Sequence, residues 1–235
     1  MRQDFVPDYA GAHGQDMVGR ELIDPELIDI ANVARPRSLL ARLDVLFRDH
    51  AILRFSWANA HQICPGVWRA NHPVCGRLRH LRKQGITSVL TLRSSKLSIP
   101  TCFTAATCHE LGLKLYAVGL QARSAPTRAS VLRLFNTFRQ IERPFVMHCK
   151  SGADRSGFAA ALYLMAFEGQ PLAVARKQLS LKYLHVRSSR AGVLDHILDL
   201  YAADTADAPM GIEAWFATRY DAAAAHESFL RTRGR

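Results

Sequence analysis

The sequence predicts an α/β fold with a central, mostly parallel sheet flanked by helices. Short apolar or β-branched runs alternate with stretches of helical periodicity from about residue 65 onward. This alternation is typical of βαβ units, in which helices cover a parallel sheet. The 235 residues suffice for one sizeable core, and 49% of them are hydrophobic, as in ordinary globular proteins.

The N-terminal part of the chain is expected to stand apart from this sheet. Residues 1–36 have no steady period and predict a flexible lead-in. Residues 38–57 predict an amphipathic helix that either packs on its own domain or, because basic residues flank it, lies on a membrane surface. The sequence thus divides into the lead-in (1–36), a main domain that includes this helix (37–205), and a C-terminal helix or tail (206–235).

The remaining elements follow from apolar spacing and from stop signals. Buried or half-buried strands are predicted at 67–70, 87–92, 113–118 and 145–148. Gly85 and Gly112 supply helix ends. The run FAAALYLMAF is apolar on every side, which predicts a helix in the middle of the domain. Helices are predicted at about 74–84, 104–111, 127–142, 155–167, 172–179 and 192–201, with a last one around Trp215 and Tyr220.

One loop of the predicted sheet carries the chemistry. The stretch VMHCKSGADRSG, residues 146–157, sets a cysteine and an arginine six positions apart, between a buried strand and a buried helix. Loops at the carboxyl ends of strands are where α/β proteins bind ligands. Because the loop residues are mostly small, their amide N–H groups can turn inward and form an anion cradle with the helix N-terminus.

The side chains of this loop predict one reaction class. Arg155 offers a planar guanidinium that binds two phosphate oxygens at once. The same positive field favours the thiolate form of Cys149, which predicts attack on phosphorus through a phosphocysteine intermediate. Ser156 is placed to assist departure of the sulfur, and His148 to hold the loop. The candidate phosphate-binding residues are Lys150, Ser151, Gly152, Ala153, Asp154 and Arg155.

The pattern H-C-x5-R-S between a strand and a helix resembles the signature of the cysteine-dependent protein tyrosine phosphatase superfamily. From about residue 64 to residue 201, the chain is similar to the dual-specificity branch, particularly its small bacterial members. Among the cysteines of the sequence, Cys149 alone has an arginine at this offset. The resemblance implies a dual-specificity phosphatase fold, Cys149 as the nucleophile and Arg155 as the phosphate binder.

The general acid departs from the pattern of that superfamily. Its members carry an Asp on a separate loop before the cysteine, whereas the corresponding segment here, VGLQARSAPTR, contains no carboxylate. A leaving alkoxide or phenolate needs a proton. Asp154 is the nearest candidate, and some atypical relatives resemble this arrangement. Alternatively, Asp154 is structural, holding backbone amides or pairing with Arg123. Asp195 is the reserve candidate.

The substrate stays open between two classes. Phosphotyrosine in proteins, with phosphoserine or phosphothreonine as further substrates, suits an atypical acid because a phenolate leaves readily. Lys150 directly follows the nucleophile, and in this respect the loop resembles the signature of phosphoinositide phosphatases. With Arg123, Arg187 and Arg190 as rim charges, Lys150 favours a phosphoinositide or inositol phosphate as the substrate. The missing loop acid also admits a pseudophosphatase that binds phosphorylated partners without turnover.

Composition bounds the remaining possibilities. The net charge of +11 favours anionic partners, but it identifies none, and we expect no nucleic-acid binding. The N-terminus lacks an apolar signal core and the five cysteines are scattered, so we expect reduced thiols and a cytoplasmic protein. The chemistry requires no metal ion or cofactor, and the sequence has no metal-binding, nucleotide-binding or Rossmann motif. Oligomeric state is left open.

Overall fold

The computed structural model describes residues 26–28, 30, 33, 36, 57–93 and 98–233. The predicted helix over 38–57 lies, apart from Trp57, outside these residues, as does most of the predicted lead-in. Within the described part of the chain, no helix has the length and apolar composition that a bilayer crossing requires.

The described residues form an α/β fold around a six-stranded sheet with the order β1-β5-β4-β6-β3-β2. The four inner strands are parallel, and the two edge strands run antiparallel to their neighbours. The strands are β1 (Glu26–Leu27), β2 (His61–Cys64), β3 (Val67–Ala70), β4 (Ser88–Thr91), β5 (Lys114–Ala117) and β6 (Phe145–His148).

Helices cover both faces of this sheet. They are α1 (Cys75–Lys83), α2 (Ile99–Leu111), α3 (Arg128–Gln140), α4 (Asp154–Phe167), α5 (Leu172–Ala175), α6 (Val193–Asp204), α7 (Ile212–Thr218) and α8 (Ala222–Arg233). Single turns of 3₁₀-helix at Arg176–Gln178, Leu181–Tyr183 and Arg190–Gly192 connect α5 to α6.

Alternation along the strands divides the core in two. Phe145 and Met147 of β6 belong to the larger cluster, which contains α3, α4, α6, α7 and α8, whereas Val146 faces the smaller cluster of α1 and α2. Helix α4 is apolar on every side because it lies inside the larger cluster, where residues 158–163 are at most 2% exposed. This confirms the predicted fold class.

The predicted elements recur with several differences. Helix α2 begins at Ile99, five residues before the predicted start, because Ser98 accepts a hydrogen bond from the Thr101 amide and Pro100 fits the first turn. Strands β1 and β2 were not predicted, and β1, which lies inside the predicted lead-in, pairs with β5. The predicted helix at 172–179 is the short helix α5 followed by the 3₁₀ turn at Arg176–Gln178. The C-terminal segment forms two helices rather than one, and Trp215 and Tyr220 are both buried in the larger cluster.

Candidate active site

The carboxyl ends of the inner strands bring the predicted loop to one edge of the sheet. In register, Ala70 of β3 lies beside His148 of β6, which lies beside Thr91 of β4. The chain leaves all three strands at the same level. The loop that begins at Cys149 is therefore flanked by the segments that follow β3 and β4, as expected for a ligand site in a parallel sheet.

The Cys149 sulfur lies among hydrogen-bond donors inside this loop. The side chain is 1% exposed. The Gly152 amide donates to Sγ at 3.3 Å, and the Ser156 hydroxyl lies 3.5 Å from Sγ. An inward-pointing amide stabilises negative charge on sulfur. The predicted relation between Cys149 and Ser156 is thus present in the geometry.

Gly152 permits the tight turn of the loop. Its φ is +75°, a left-handed conformation that residues with a Cβ rarely adopt. A Cβ at this position would lie 2.6 Å from the Asn71 amide nitrogen and 2.9 Å from the Ala70 carbonyl carbon. Only glycine lets the loop pass this close to the end of β3.

Arg155 enters the first turn of α4 with its guanidinium at the same edge. One Nη donates to the Leu92 carbonyl at 3.5 Å, while the buried Nε has no hydrogen-bond partner among the described residues. A buried N–H without an acceptor costs free energy. A phosphate oxygen is the acceptor that the sequence predicted for this guanidinium.

The other predicted loop residues make hydrogen-bond contacts with backbone groups in and beside the loop. The Lys150 carbonyl accepts from the His72 amide at 3.2 Å. The Ser151 hydroxyl accepts from the Ala153 amide at 3.4 Å. His148 is fully buried, with its Nδ1 3.3 Å from the Cys149 carbonyl oxygen, a position that suits the predicted supporting role.

Arg69 of β3 supports the loop from below, and sequence reasoning missed it. Its side chain is fully buried, because Arg69 shares the face of Val67 and points towards α4. One Nη donates to the carbonyls of Gly152 at 2.7 Å and Ala153 at 2.9 Å, and the other to the Gln178 carbonyl at 2.6 Å. Burial lowers its pKa to about 10, against the opposing effects of Cys149, Tyr183 and Asp154, so it remains cationic at neutral pH.

A second unpredicted group joins the loop to the segment after α5. The Asn59 side-chain amide donates to the carbonyls of Ser151 at 3.0 Å and Tyr183 at 3.1 Å. The Tyr183 ring lies 4.1 Å from the Arg69 guanidinium carbon, a cation–π contact. The loop that begins at Cys149 is therefore held by β3, by the residues before β2 and by the turn at 181–183.

Asp154, the predicted acid, bonds a histidine that the sequence did not indicate. Its Oδ1 lies 2.7 Å from His185 Nδ1, and the Nε2 of the same ring lies 2.7 Å from Asp195 Oδ2. Asp154 therefore contacts His185 rather than Arg123, which is exposed. The reserve candidate Asp195 is folded towards the loop, although His185 separates it from Asp154.

The rim charges and the other thiols have simpler surroundings. Arg187 is exposed and bonds Asp199 at 2.7 Å, and Arg190 is exposed. The five cysteines are free thiols. Burial raises the pKa of Cys108 to about 12, and burial with the nearby Glu168 raises that of Cys64 to about 11. These two thiols are therefore protonated at neutral pH.

No group of three or more His, Cys, Asp or Glu side chains within the described residues is arranged to hold a metal ion. The donors around Cys149 are amides, hydroxyls and guanidinium groups, which suit a phosphate oxyanion.

A known protein family matches the part of the chain that carries this loop. Residues 65–170 match the family described as "Polymorphic toxin system, DSP-PTPase phosphatase". A search of curated protein sequences found no match. His185 and Asp195 lie beyond the matched range.

Solved structures are similar to this chain at low sequence identity. A DUF442 phosphatase structure from Shewanella putrefaciens CN-32 is 16% identical, with a TM-score of 0.51 over 65% of this chain and 95% of that chain. Pseudomonas aeruginosa TpbA in complex with phosphotyrosine is 18% identical, with a TM-score of 0.46 over 63% and 96%. The catalytic domain of the PP-IP phosphatase SIW14 from Saccharomyces cerevisiae is 15% identical, with a TM-score of 0.48 over 65% and 96%.

Proposed function

We propose that this chain is a cysteine-dependent phosphoric monoester hydrolase of the protein-tyrosine-phosphatase-like, dual-specificity type, in which Cys149 attacks phosphotyrosine in proteins. The match of residues 65–170 to a DSP-PTPase phosphatase family supports this proposal. The observation that carries the proposal is the placement of Sγ. It lies 3.3 Å from an inward-pointing amide at the base of a loop that ends in Arg155. Phosphoserine and phosphothreonine would be secondary substrates.

The first chemical step transfers the phosphoryl group to sulfur. Loop amides and the Arg155 guanidinium bind the phosphate oxygens, which orients phosphorus towards the Cys149 thiolate. The P–S bond forms as the P–O bond to the leaving group breaks, and the departing oxygen receives a proton through Asp154. A positioned acid contributes about 10²–10⁴-fold to such a step.

The second step releases phosphate. Water attacks the phosphocysteine, its proton passes to Asp154, and the P–S bond breaks. Ser156, 3.5 Å from Sγ, donates a hydrogen bond to the departing thiolate. The buried Arg69 cation below the loop stabilises the negative charge on sulfur in both steps. This site favours phosphotyrosine over phosphoserine and phosphothreonine, because a phenolate leaving group requires less protonation than an alkoxide.

The experiment compares the parent with Cys149→Ser on p-nitrophenyl phosphate and on phosphotyrosine peptides. The proposal expects turnover by the parent and loss of turnover in the variant. Cys75→Ser and Cys102→Ser are matched controls, since both thiols are half-buried and lie outside the loop. A Cys149→Ser protein as active as the parent contradicts the proposal. Tight binding of a phosphopeptide without turnover by the parent would instead support the pseudophosphatase hypothesis.

A phosphoinositide or inositol phosphate is the second candidate substrate. Lys150 follows the nucleophile and is half-buried, and Arg93, two residues after β4, lies at the same edge of the sheet. Two cations beside the phosphate cradle favour a substrate with more than one phosphate. Values of kcat/KM on phosphoinositides and phosphopeptides at matched ionic strength separate the candidates. A preference for phosphoinositides that Lys150→Met abolishes would favour the second one.

The cellular setting follows from the thiol chemistry. A nucleophilic cysteine must stay reduced, and the other cysteines are free thiols, so we propose a cytoplasmic site of action. Membrane contact through residues 38–57 stays a prediction, because that segment lies outside the described residues.

A further inference from the structure

Three acidic or basic side chains from separate elements form one hydrogen-bonded chain beside the catalytic loop. Asp154 is the first residue of α4, His185 lies between two 3₁₀ turns, and Asp195 belongs to the first turn of α6. The two hydrogen bonds that join them are both 2.7 Å long. The chain Asp195–His185–Asp154 therefore uses both ring nitrogens of the histidine.

Exposure along this chain is strongly graded. The side chains of Asp195 and His185 are 3% and 1% exposed, whereas that of Asp154 is 28% exposed. The hydrogen-bonded chain thus runs from the interior to the phosphate-binding loop, where Asp154 is its most exposed member. Such a buried arrangement of polar groups is costly to hold unless each group is satisfied.

The carboxylates keep the imidazole charged. Burial by itself would lower the pKa of His185, but the hydrogen bonds that the ring donates to Asp154 and Asp195 outweigh burial and raise the pKa to about 9. Arg176, Lys177 and Arg187 line, together with His185 and Asp195, a cavity of about 810 Å³. Arg176 and Arg187 both bond Asp199, so their charges are partly balanced there.

This pairing changes which group holds the proton. A carboxylate beside an imidazolium is stabilised in its ionised form. At neutral pH the proton needed by the leaving group therefore resides on His185, and Asp154 alone is not the acid.

We propose that Asp195, His185 and Asp154 form a proton relay in which His185 stores the proton that Asp154 delivers to the leaving oxygen. The inference rests on the proposed function and deepens it. His185 and Asp195 act through Asp154, so they are positioning residues.

The relay balances over one catalytic cycle. In the first step the Nδ1 proton of His185 passes to the Asp154 carboxylate, and the resulting carboxylic acid gives this proton to the departing oxygen. The neutral ring keeps its proton on Nε2, which donates a hydrogen bond to Asp195. In the second step the attacking water gives its proton to Asp154, and that proton returns to Nδ1. No metal ion or redox partner takes part.

The test measures kcat/KM on phenyl phosphate and on p-nitrophenyl phosphate. Phenolate is the more basic leaving group and depends more on an acid. We expect His185→Gln and Asp154→Asn to lose about 10²-fold or more on phenyl phosphate. We expect them to lose on the order of tenfold or less on p-nitrophenyl phosphate. His196→Gln is the matched control, since that ring bonds Ser228 at 3.1 Å on the other side of α6.

The pH profile separates a relay from a structural role. Parent activity on phenyl phosphate should fall as pH rises through about 9, where His185 loses its proton. In His185→Gln, activity on phenyl phosphate should begin to fall near the pKa of an ordinary carboxylic acid, about pH 4. Asp195→Asn should move the fall to lower pH than in the parent. Equal losses on both substrates with an unmoved profile would overturn the relay.

Two measurements keep the test decisive. Should His185→Gln fail to fold, the NMR titration of the His185 ring in the parent must have its midpoint near 9, and a midpoint near the ordinary 6.5 overturns the inference. If these tests refute the relay but Cys149→Ser is inactive, the proposed function still stands. An active Cys149→Ser protein would instead refute the function itself.

Discussion

Replacing Arg69 by methionine should destabilise the protein by removing the support beneath the catalytic loop. Methionine is of similar length but donates no hydrogen bond. The change removes the donors of the Gly152 and Ala153 carbonyls, which are buried, and of the Gln178 carbonyl. Leaving a buried acceptor unsatisfied costs about 1–3 kcal/mol.

The expected loss in the free energy of unfolding follows from these contacts. Two buried carbonyls give about 2–6 kcal/mol, and relief from burying a charge offsets part of it. We therefore expect a loss of about 2–4 kcal/mol, a large share of the roughly 5–15 kcal/mol of a typical domain. Activity should fall as well, because the Gly152 amide loses its fixed position at 3.3 Å from Sγ.

Urea denaturation followed by circular dichroism measures the effect. Arg82→Met is the matched control, because Arg82 is exposed and, among the described residues, bonds only the Leu111 carbonyl, through Nε at 3.2 Å. That control should change stability by less than about 0.5 kcal/mol. Arg69→Lys should be intermediate, since an ammonium cannot span all three carbonyls. If Arg69→Met unfolds like the control and keeps full kcat, the supporting role of Arg69 is wrong.

Three further predictions concern the loop after Cys149, the buried His185 and the N-terminal end of α3. Gly152→Ala should reduce kcat/KM at least tenfold, because its Cβ would lie 2.6 Å from the Asn71 nitrogen; unchanged kinetics would contradict this. His185 has a folded pKa of about 9 against 6.5 unfolded, so its stabilisation is complete below about pH 6.5 and is lost as pH rises through 9. Urea midpoints across this range should decline less steeply in Asp195→Asn, and parallel curves would argue against it. Thr127→Ala should cost about 0.5–2 kcal/mol in thermal unfolding, because Thr127 caps α3 by accepting from the Ser130 amide; no change would exclude the cap.

The elements that the sequence predicted are those with strong local signals. The apolar run of β6, the small residues of the loop and the all-round apolar helix α4 lie next to one another in the chain. Their order alone places Cys149 at the carboxyl end of a strand. The start of α2 could also have been found, because Ser98 followed by Pro100 is a common helix beginning.

The missed residues act over long separations in the chain. Arg69 reaches carbonyls 83 and 84 residues away, and VWRA by itself reads as an ordinary strand with one polar position. His185 bonds Asp154 at a separation of 31 residues and lies in a segment without periodicity. A buried charged residue is expected to have a partner, but only the fold identifies that partner.

Trapping the covalent intermediate tests the central claim most directly. The parent and Cys149→Ser are mixed with a phosphotyrosine peptide, quenched in acid within the first turnover, digested and examined by mass spectrometry. The account predicts one added phosphoryl group on the parent peptide that contains Cys149, and none in the variant. Turnover with no phosphoryl group on Cys149, or with one on another residue, would contradict it.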